Sequence, residues 1–538
     1  MGRRECAETR AGRMGTGSRS RNIEETGKRY LVSSEEMKRY DRNTIEYFGV
    51  PSLVLMERAA LAAAEEIEAR CKTGKRVLVA AGCGNNGGDG AAVGRMLLLD
   101  GYDVEICLIG SREKCSRETE VQLGIAEKYG CPIKNKIGVG EYDIIVDALF
   151  GIGLSRKLEG IYAEAVREIN SKDAFVCALD IPSGIHADTG EVMGVAAAAD
   201  LTVTFAFRKL GHILYPGCRY AGEVVCRQIG ITEESFLGEG PRAYTRQGAP
   251  CGLLPCRDPG GNKGTFGKVL VVAGSRNMSG ACKLCTESAY RVGAGMVKAV
   301  TPEENRLAVQ LGVPEALLLP YPAWEEEGLS GTGREMEEKL REAFEWADAV
   351  VAGPGIGTGK EAERLLEWCL TQTEKPLVMD ADAINLLAGR EHLRHYLEEH
   401  ASAGRKLIMT PHVGEFARLY GCSAAEAKNG LAQKAKELAD RYGCVMVAKD
   451  ARTVAACCGK DEWYLNTSGN DGMATAGMGD VLAGMLGGLL AQGMDAAEAA
   501  VAGVYIHGMA GDLAAEEMGH YGLTAGDVIR MLGAVTRK

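Results

Sequence analysis

A chain of 538 residues is longer than one hydrophobic core ordinarily organises, so two large domains are expected. Hydrophobic residues make up 46% and charged residues 25%, the balance of a soluble globular protein, and no unbroken apolar run reaches the length of a membrane span, so the expectation is no membrane partner. The formal net charge of −11 argues against a general nucleic-acid binder.

Residues 1–29 are rich in Arg, Gly and Ser and nearly free of apolar residues. They can form neither a core nor the apolar region of a signal peptide, and read as a disordered extension. Cys6 stands where a myristoylation signal needs Ser or Thr. From 30 to 231 the pattern alternates. Helical periodicity over 34–48 and 52–69 precedes strands near 76–81, 103–109, 144–148, 175–180, 201–205 and 223–228, which predicts an α/β layer on a parallel sheet. Pro, Gly and polar residues dominate 232–264. Within them 232–241 reads as the linker, and the remainder as the entry to a second domain spanning 242–538. That domain carries strands near 268–273, 296–300, 349–352, 377–380, 406–410, 445–449 and 452–456. The two halves share no motif, so they read as a fusion and not a duplication. The 18 cysteines are irregularly spaced; Cys107, Cys177 and Cys226 fall in apolar runs and read as small core hydrophobes in a reducing cytoplasm. Cys282 and Cys285 have C-x-x-C spacing, but no second pair accompanies them and they lie in a helical stretch, which favours packing over metal or redox chemistry.

Glycine-rich loops follow the strands in both halves, the end at which open α/β sheets bind ligands. After the first long strand comes Gly82-Cys83-Gly84-Asn85-Asn86-Gly87-Gly88-Asp89-Gly90. It satisfies G-x-G-x-x-G only weakly as a dinucleotide signal, because the next strand ends Ile109-Gly110-Ser111-Arg112 without the acidic residue that binds ribose. Two adjacent amides and an Asp among glycines suggest oxygen-rich recognition of a polar ligand instead. Asp147 through Leu154, and Asp180-Ile181-Pro182-Ser183-Gly184, place further carboxylates at strand ends. Any one such Asp could merely cap a turn; three loops on one sheet edge point to a shared site.

The densest signal is Gly469-Asn470-Asp471-Gly472-Met473-Ala474-Thr475-Ala476-Gly477-Met478-Gly479-Asp480 running into an apolar helix with Gly484. Successive glycines let backbone N–H groups converge on an anion, and the helix start faces the same point. Asp480 could cap that helix, but beside so many glycines it reads as the base of a phosphate-handling loop. Asn262 to Gly267, Gly353 to Gly357 and Thr410-Pro411-His412-Val413-Gly414-Glu415 are expected to converge on it. Gly359-Lys360 and Gly267-Lys268 fail the Walker pattern. His412 is balanced between a structural role and a ligand contact.

The ordered set Asn85 to Asp89, Asp147 to Leu154 and Asp180 to Gly184 resembles the NAD(P)H-hydrate epimerase domain, over about 30–231. The loops of the second half, with Met379-Asp380-Ala381-Asp382-Ala383-Ile384-Asn385, resemble the ADP/ATP-dependent NAD(P)H-hydrate dehydratase domain, over about 242–538. The resemblance implies a Rossmann-like three-layer sandwich followed by a ribokinase-like α/β domain, joined in a cytoplasmic, bifunctional isomerase and lyase that repairs hydrated NADH and NADPH. It implies that Asn86, Asp147 and Ser183 bind K⁺, and that Asn85, Asn86, Gly87, Gly88 and Asp89 contact the hydrate together with Gly151, Ile152, Gly153, Leu154, Ser155, Arg156, Lys157 and Asp180. Asp180 is expected to be the acid/base of epimerisation. In the second domain it implies that Ala281, Gly357, His412 and Asp480 contact the hydrate, and that Lys449, Asp450, Ala451, Arg452, Thr453 and Gly479 contact the adenine nucleotide, ADP or alternatively ATP, with Mg²⁺. Two positions depart from the family pattern: Asp450 stands in place of Gly, adding a carboxylate near the nucleotide, and Met478 in place of Thr or Ser, removing a hydroxyl. The rival reading is a small-molecule kinase with a regulatory or scaffold N-terminal domain. A homo-oligomer is expected, with the Ala/Gly-rich helices over 481–510 packing between subunits.

Overall fold

The computed structural model describes residues 27–138, 140–322 and 331–537. Of the extension expected over 1–29, residues 1–26, including Cys6, lie outside the described residues, and the first strand begins at Lys28. In chain order the first half supplies β1 (Lys28–Val32), β2 (Arg76–Ala81), β3 (Asp103–Leu108), β4 (Ile133–Lys134), β5 (Ile144–Ala148), β6 (Phe175–Leu179), β7 (Leu201–Phe205), β8 (Arg208–Lys209) and β9 (Glu223–Arg227). The second half supplies β10 (Ala243–Arg246), β11 (Lys268–Val272), β12 (Met296–Pro302), β13 (Leu317–Tyr321), β14 (Ala349–Ala352), β15 (Leu377–Met379), β16 (Leu407–Met409), β17 (Val445–Ala448), β18 (Val454–Cys457) and β19 (Trp463–Leu465).

Seven strands form one wholly parallel sheet in the order β4-β3-β2-β5-β6-β7-β9. Val77 to Ala81 of β2 and all of β5 are buried, as expected of apolar strands covered on both faces. The helices that cover them start for local reasons. Ser33 and Glu36 form a capping box for Ser34–Glu46, and Ser116 caps Arg117–Lys128. The strand order reverses between β3-β2 and β5-β6, so the loops after β2 and β5 diverge and leave a crevice there.

The second sheet has twelve strands, β13-β12-β11-β14-β15-β16-β17-β18-β19-β10-β1-β8. It is parallel from β13 to β17, and its reversal lies between β11 and β14, beside the start of Ser279–Arg291 and the loop Gly353 to Gly357. The sheet also crosses the border between the halves: β10 pairs with β19, β1 with β10, and β8 with β1. The sequence pattern predicts none of β1, β8, β10 or β19.

The helices Met478–Ala491 and Ala496–Met518 are apolar on most faces because the chain itself surrounds them. Val481, Ala483, Leu486 and Ile506 are buried with Val269, Val351 and Cys285 in one core. This corrects the expectation that these helices pack between subunits: their apolar surface is consumed inside the chain. Cys282 and Cys285 sit in that core, on the packing side of the question. Cys107 and Cys177 are likewise buried, whereas Cys226 is exposed, because β9 is an edge strand of its sheet.

Candidate functional site

The crevice of the first half, roughly 500 Å³, brings together Asn85, Asn86, Asp89, Gly151, Ile152, Gly153, Leu154 and Asp180, with Leu55, Met56 and Ile229 as an apolar wall. Gly87 and Gly88, expected as contacts, lie behind this lining and answer to packing: a Cβ at Gly87 would stand 1.8 Å from the Gly82 carbonyl oxygen, and one at Gly88 would stand 2.9 Å from Met56 and Thr119. Ser155, Arg156 and Lys157 follow the lining loop without joining the crevice wall.

Asp180 ends β6 with φ +66°, a conformation that costs a non-glycine residue energy and survives only where the surroundings fix it. Its N–H donates to the Val203 carbonyl at 2.8 Å, and its own carbonyl faces His212 Nε2 at 2.8 Å. Burial and the neighbouring Lys209 push the His212 pKa down to about 3, so the ring is neutral. Because its Nδ1 accepts the Lys209 N–H at 3.1 Å, Nε2 carries the proton and donates to Asp180. The Asp180 carboxylate accepts from Thr204 Oγ1 at 3.2 Å and pairs with the Lys209 ammonium. That ammonium is buried and also donates to Thr204 Oγ1 at 2.9 Å and the Phe205 carbonyl at 3.1 Å. Sequence reasoning missed Lys209. Its signal was a Lys within Phe205-Ala206-Phe207-Arg208-Lys209-Leu210, since a lysine buried among apolar neighbours needs a counter-charge. Asp89 faces the same point, and burial with the Asp180 charge raises its pKa well above the usual carboxylate range. Asp89 therefore holds its proton more tightly than an exposed Asp, and it shares one crevice with the Asp180 carboxylate.

Behind them, Asp147 is buried and accepts from Ser183 Oγ at 2.6 Å, Ser183 N–H at 2.8 Å and Leu149 N–H at 3.4 Å. Only neutral donors reach it in these bonds, and burial raises its pKa. The Asn86 side-chain nitrogen is buried with no hydrogen-bond partner, and Asn86 lies in the crevice wall. A buried carboxylate met only by neutral donors, with the Ser183 hydroxyl on it, suits a weakly hydrated monovalent cation; from Asn86 only the amide oxygen could join such a set, since its unpartnered nitrogen is a donor.

In the second half Asp480 lies in the first turn of Met478–Ala491, whose N-cap is Gly477 at φ +92°. No side chain caps this helix, so Asp480 is not a cap. Val481 is the first residue to bond back into the turn, to the Gly477 carbonyl at 3.1 Å, so the N–H groups of Met478, Gly479 and Asp480 stand at the helix's positive end. Burial and the Asp380 charge raise the Asp480 pKa to about 7, against the opposing pull of Lys449. Lys449 Nζ pairs with Asp380 Oδ1 at 2.5 Å, and the Asp380 carboxylate also accepts from Thr410 Oγ1 at 2.7 Å. A Cβ at Gly479 would stand 3.1 Å from Lys449 Nζ and 3.4 Å from Asp380 Oδ2, so glycine keeps this corner open. Asp380 is the second residue without an assigned role; its signal was its place at the end of β15, on the same edge as Gly353 and Thr410.

The remaining expected residues divide. Gly357 donates its N–H to Asp382 Oδ2 at 2.8 Å, and Ala281 lies near Gly355, whose Cβ would stand 2.8 Å from Ala281 Cβ. His412 bridges to Lys449 through the backbone and caps Val413–Tyr420, its Nδ1 accepting from Gly414 N–H at 2.9 Å. Burial and the Lys449 charge lower its pKa, which suits that accepting role. Asp450 pairs with Lys428 at 3.1 Å, so the extra carboxylate meets a cation of this chain's own. Thr453 Oγ1 donates to the Asp450 carbonyl at 3.4 Å, Ala451 is exposed, and the Arg452 side chain turns to the first half. Not every glycine of the loop serves an anion. A Cβ at Gly484 would lie 2.0 Å from the Cys285 carbonyl oxygen, and one at Gly472 would lie 2.7 Å from the His520 carbonyl oxygen, so these two answer to packing.

Residues 269–533 match the family model described as NAD(P)H-hydrate dehydratase, and 52–211 match the YjeF-related protein N-terminus. The bifunctional NAD(P)H-hydrate repair enzyme Nnr of Thermofilum pendens is 37% identical over 93% of this chain and 95% of its own length, and that of Moorella thermoacetica is 35% identical over 94% and 97%. The chain belongs to the bifunctional NAD(P)H-hydrate repair enzymes. Among solved structures it is similar to the ADP/ATP-dependent NAD(P)H-hydrate dehydratase of Bacillus subtilis co-crystallised with ATP and Mg²⁺, at 30% identity over 53% of this chain and 94% of that one, with a TM-score of 0.44. The expected fold holds: a Rossmann-like parallel layer precedes a ribokinase-like α/β domain. With a dehydratase model on the second half and bifunctional repair enzymes as relatives along most of the chain, the small-molecule kinase reading is not favoured.

Proposed function

We propose that the chain repairs NADH and NADPH hydrated across the C5=C6 bond of the nicotinamide ring, with one centre in each crevice. The first, in the epimerase domain of about 30–231, interconverts the R and S epimers at C6. Asp180 acts as acid and base there: it gives a proton to the departing hydroxyl and takes one from the water that adds to the other face. Lys209 holds Asp180 in place and supplies positive charge, and Asp89 lines the same crevice as a polar contact for the hydrate. Asn86, Asp147 and Ser183 would hold K⁺, which when bound neutralises the buried carboxylate and stiffens the loops after β5 and β6. The buried, cation-free Asp147 supports that assignment.

The second centre, in the domain of about 242–538 after the linker 232–241, dehydrates the S epimer. Asp480 removes the C6 hydroxyl proton as that oxygen takes a phosphoryl group from ADP, releasing AMP. Phosphate then leaves with the C6–O bonding pair as C5 loses a proton, which restores the C5=C6 double bond. The N–H groups of Met478 to Asp480 and the Lys449 ammonium stabilise charge on the transferring group, a role worth about 3 kcal/mol per donor. Mg²⁺ would arrive on the nucleotide phosphates and neutralise them, as phosphoryl transfer requires. The nucleotide lies against the Lys449 to Thr453 loop and Gly479; Ala281, Gly357 and His412 border the hydrate. We also infer a cytoplasmic homo-oligomer, though with an interface elsewhere than the helices over 481–510.

The observation that carries this reading is Asp480, half-buried, at a helix N-terminus, with its pKa raised to about 7 beside Lys449. Recovery of NADH absorbance from a mixture of R and S hydrates, with nucleotide, Mg²⁺ and K⁺, tests it. Both epimers should be recovered; Asp180→Asn should stop recovery at the S fraction, and replacing K⁺ by tetramethylammonium should slow the R fraction alone. No recovery with either ADP or ATP sinks the reading, and full recovery by Asp180→Asn removes Asp180 from its role.

A further inference from the structure

One segment touches both centres. Strand β8, Arg208–Lys209, is the last strand of the twelve-stranded sheet and pairs with β1 at Leu31 and Val32. Its Lys209 side chain leaves that sheet and pairs with Asp180 at the end of β6, in the other sheet. The Asp180–Lys209 pair of the epimerase centre is thus assembled across two sheets, one of which belongs mainly to the dehydratase half. Three residues on, His212 fixes the Asp180 backbone from the same segment. The chain then turns: Ile213 N–H donates to the Leu210 carbonyl at 2.9 Å, and Cys218 N–H to the Leu214 carbonyl at 3.0 Å. The far side of this turn is held from the dehydratase half. Arg452 Nε donates to the Ile213 carbonyl at 3.2 Å, and its guanidinium lies 5.3 Å from the centre of the Tyr215 ring. Arg452 stands between β17 and β18, in the loop placed against the nucleotide.

We propose that Arg452 is a positioning residue for epimerisation: by holding Ile213 and Tyr215 it fixes the short turn that sets Lys209 and His212 on Asp180. The inference rests on the reading of Asp180 as the epimerase acid/base. A planar guanidinium can donate to a carbonyl from its edge while its flat face lies over an aromatic ring, a fixed geometry that a lysine ammonium does not impose. No step in the path is long: Arg452 meets Ile213, His212 is the neighbouring residue, and His212 meets both Lys209 and Asp180. The dehydratase half therefore contributes to a reaction run in the other half, and isolating the epimerase crevice from it leaves Lys209 without the support of its turn.

The test uses the full chain and the R hydrate of NADH without nucleotide, so that dehydration cannot run, with R and S separated by chromatography. Arg452→Ala and Tyr215→Ala should each lower kcat for R-to-S conversion about tenfold with KM within about twofold, the effect expected when support for a catalytic group is loosened. Arg452→Lys should recover part of the loss, and Tyr215→Ala should dehydrate the S hydrate at the wild-type rate. Hydrogen exchange in the ligand-free Arg452→Ala chain gives a readout independent of activity: amides 209–214 should exchange at least about tenfold faster while those of β2 and β5 stay protected. Unchanged kcat in both Ala variants overturns the proposal, as does unchanged protection of 209–214. If Asp180→Asn epimerises normally, the acid/base reading fails, and the exchange measurement still decides whether Arg452 holds the turn.

Discussion

Glu415, buried, and Asp480, half-buried, both stand near Asp380 with pKa values raised to about 7, yet they differ in what they touch. Glu415 accepts the His412 N–H at 2.9 Å in a capping box, whereas Asp480 faces the open corner at Gly479. Only the deprotonated Asp480 can take the hydroxyl proton. At saturating substrate, dehydration should therefore rise about tenfold per pH unit below 7 and level off above it. Asp480→Ala should lower turnover by about 10²-fold or more with epimerisation intact, while Glu415→Gln should keep the pH limb; a limb that disappears with Glu415→Gln transfers the base role. The same burial has a cost in stability. The folded state binds the Asp480 proton more tightly than the unfolded chain does, so its contribution is favourable below the ordinary carboxylate range and is lost as pH rises through about 7. Asp480→Asn should accordingly raise Tm relative to wild type at pH 8 and do less at pH 5. Lys209 offers the opposite case, a buried cation whose partner is Asp180. Lys209→Met leaves that carboxylate unpaired and should destabilise the fold by about 3 kcal/mol in denaturant titration, with epimerisation lost.

The helix Met478–Ala491 serves two masters along its length. Its first turn presents N–H groups and Asp480; one turn later, Gly484 lets it approach Ser279–Arg291 so closely that a Cβ would lie 2.0 Å from the Cys285 carbonyl oxygen. Backbone cannot yield as a flexible side chain does. Gly484→Ala should therefore destabilise by about 1–3 kcal/mol and shift the loop at Gly477 to Gly479, lowering dehydration beyond what the loss of stability explains. Calorimetry beside an activity assay checks this, and a variant as stable as wild type would mean that the two helices have slack. This packing explains why a glycine count alone does not sort the roles within the loop: tight helix approach and anion binding both ask for a residue without a side chain.

Across the whole molecule, the two halves share a sheet. Arg242 accepts the Trp463 N–H through its carbonyl at 2.8 Å and donates its own N–H to Glu36 at 3.0 Å, and Lys28 pairs with Glu462 at 2.9 Å. A fragment cut at residue 242 keeps β10 but loses β1 and β8, which leaves β10 as an unpaired edge. That fragment should melt below the full chain and associate in light scattering, because an open edge recruits another strand. A monomeric fragment with an unchanged Tm would show that the second half is indifferent to the strands it borrows. Among the described residues, no helix is long and apolar enough to cross a membrane.

The sequence by itself determined the α/β periodicity, the fusion of two unlike halves, and the loops at strand ends that carry Asn85 to Asp89, Asp180 and Asp480. These are properties of local pattern: strand runs, glycine spacing and the residue after a strand depend on neighbours in the chain. Lys209, Asp380 and Arg452 were legible only in part or not at all, because each acts through a residue 29, 69 or 239 positions away. The strands β1, β8 and β10 were equally hidden, since Lys28–Val32, Arg208–Lys209 and Ala243–Arg246 mix charged and polar residues with apolar ones and are seen as strands only where a partner supplies their hydrogen bonds. What tertiary structure decided was which carboxylates keep a proton, which glycines pack and which bind, and that the Asp180–Lys209 pair is assembled from both sheets. Burial and charge proximity are properties of distance in space, and the chain order does not contain them.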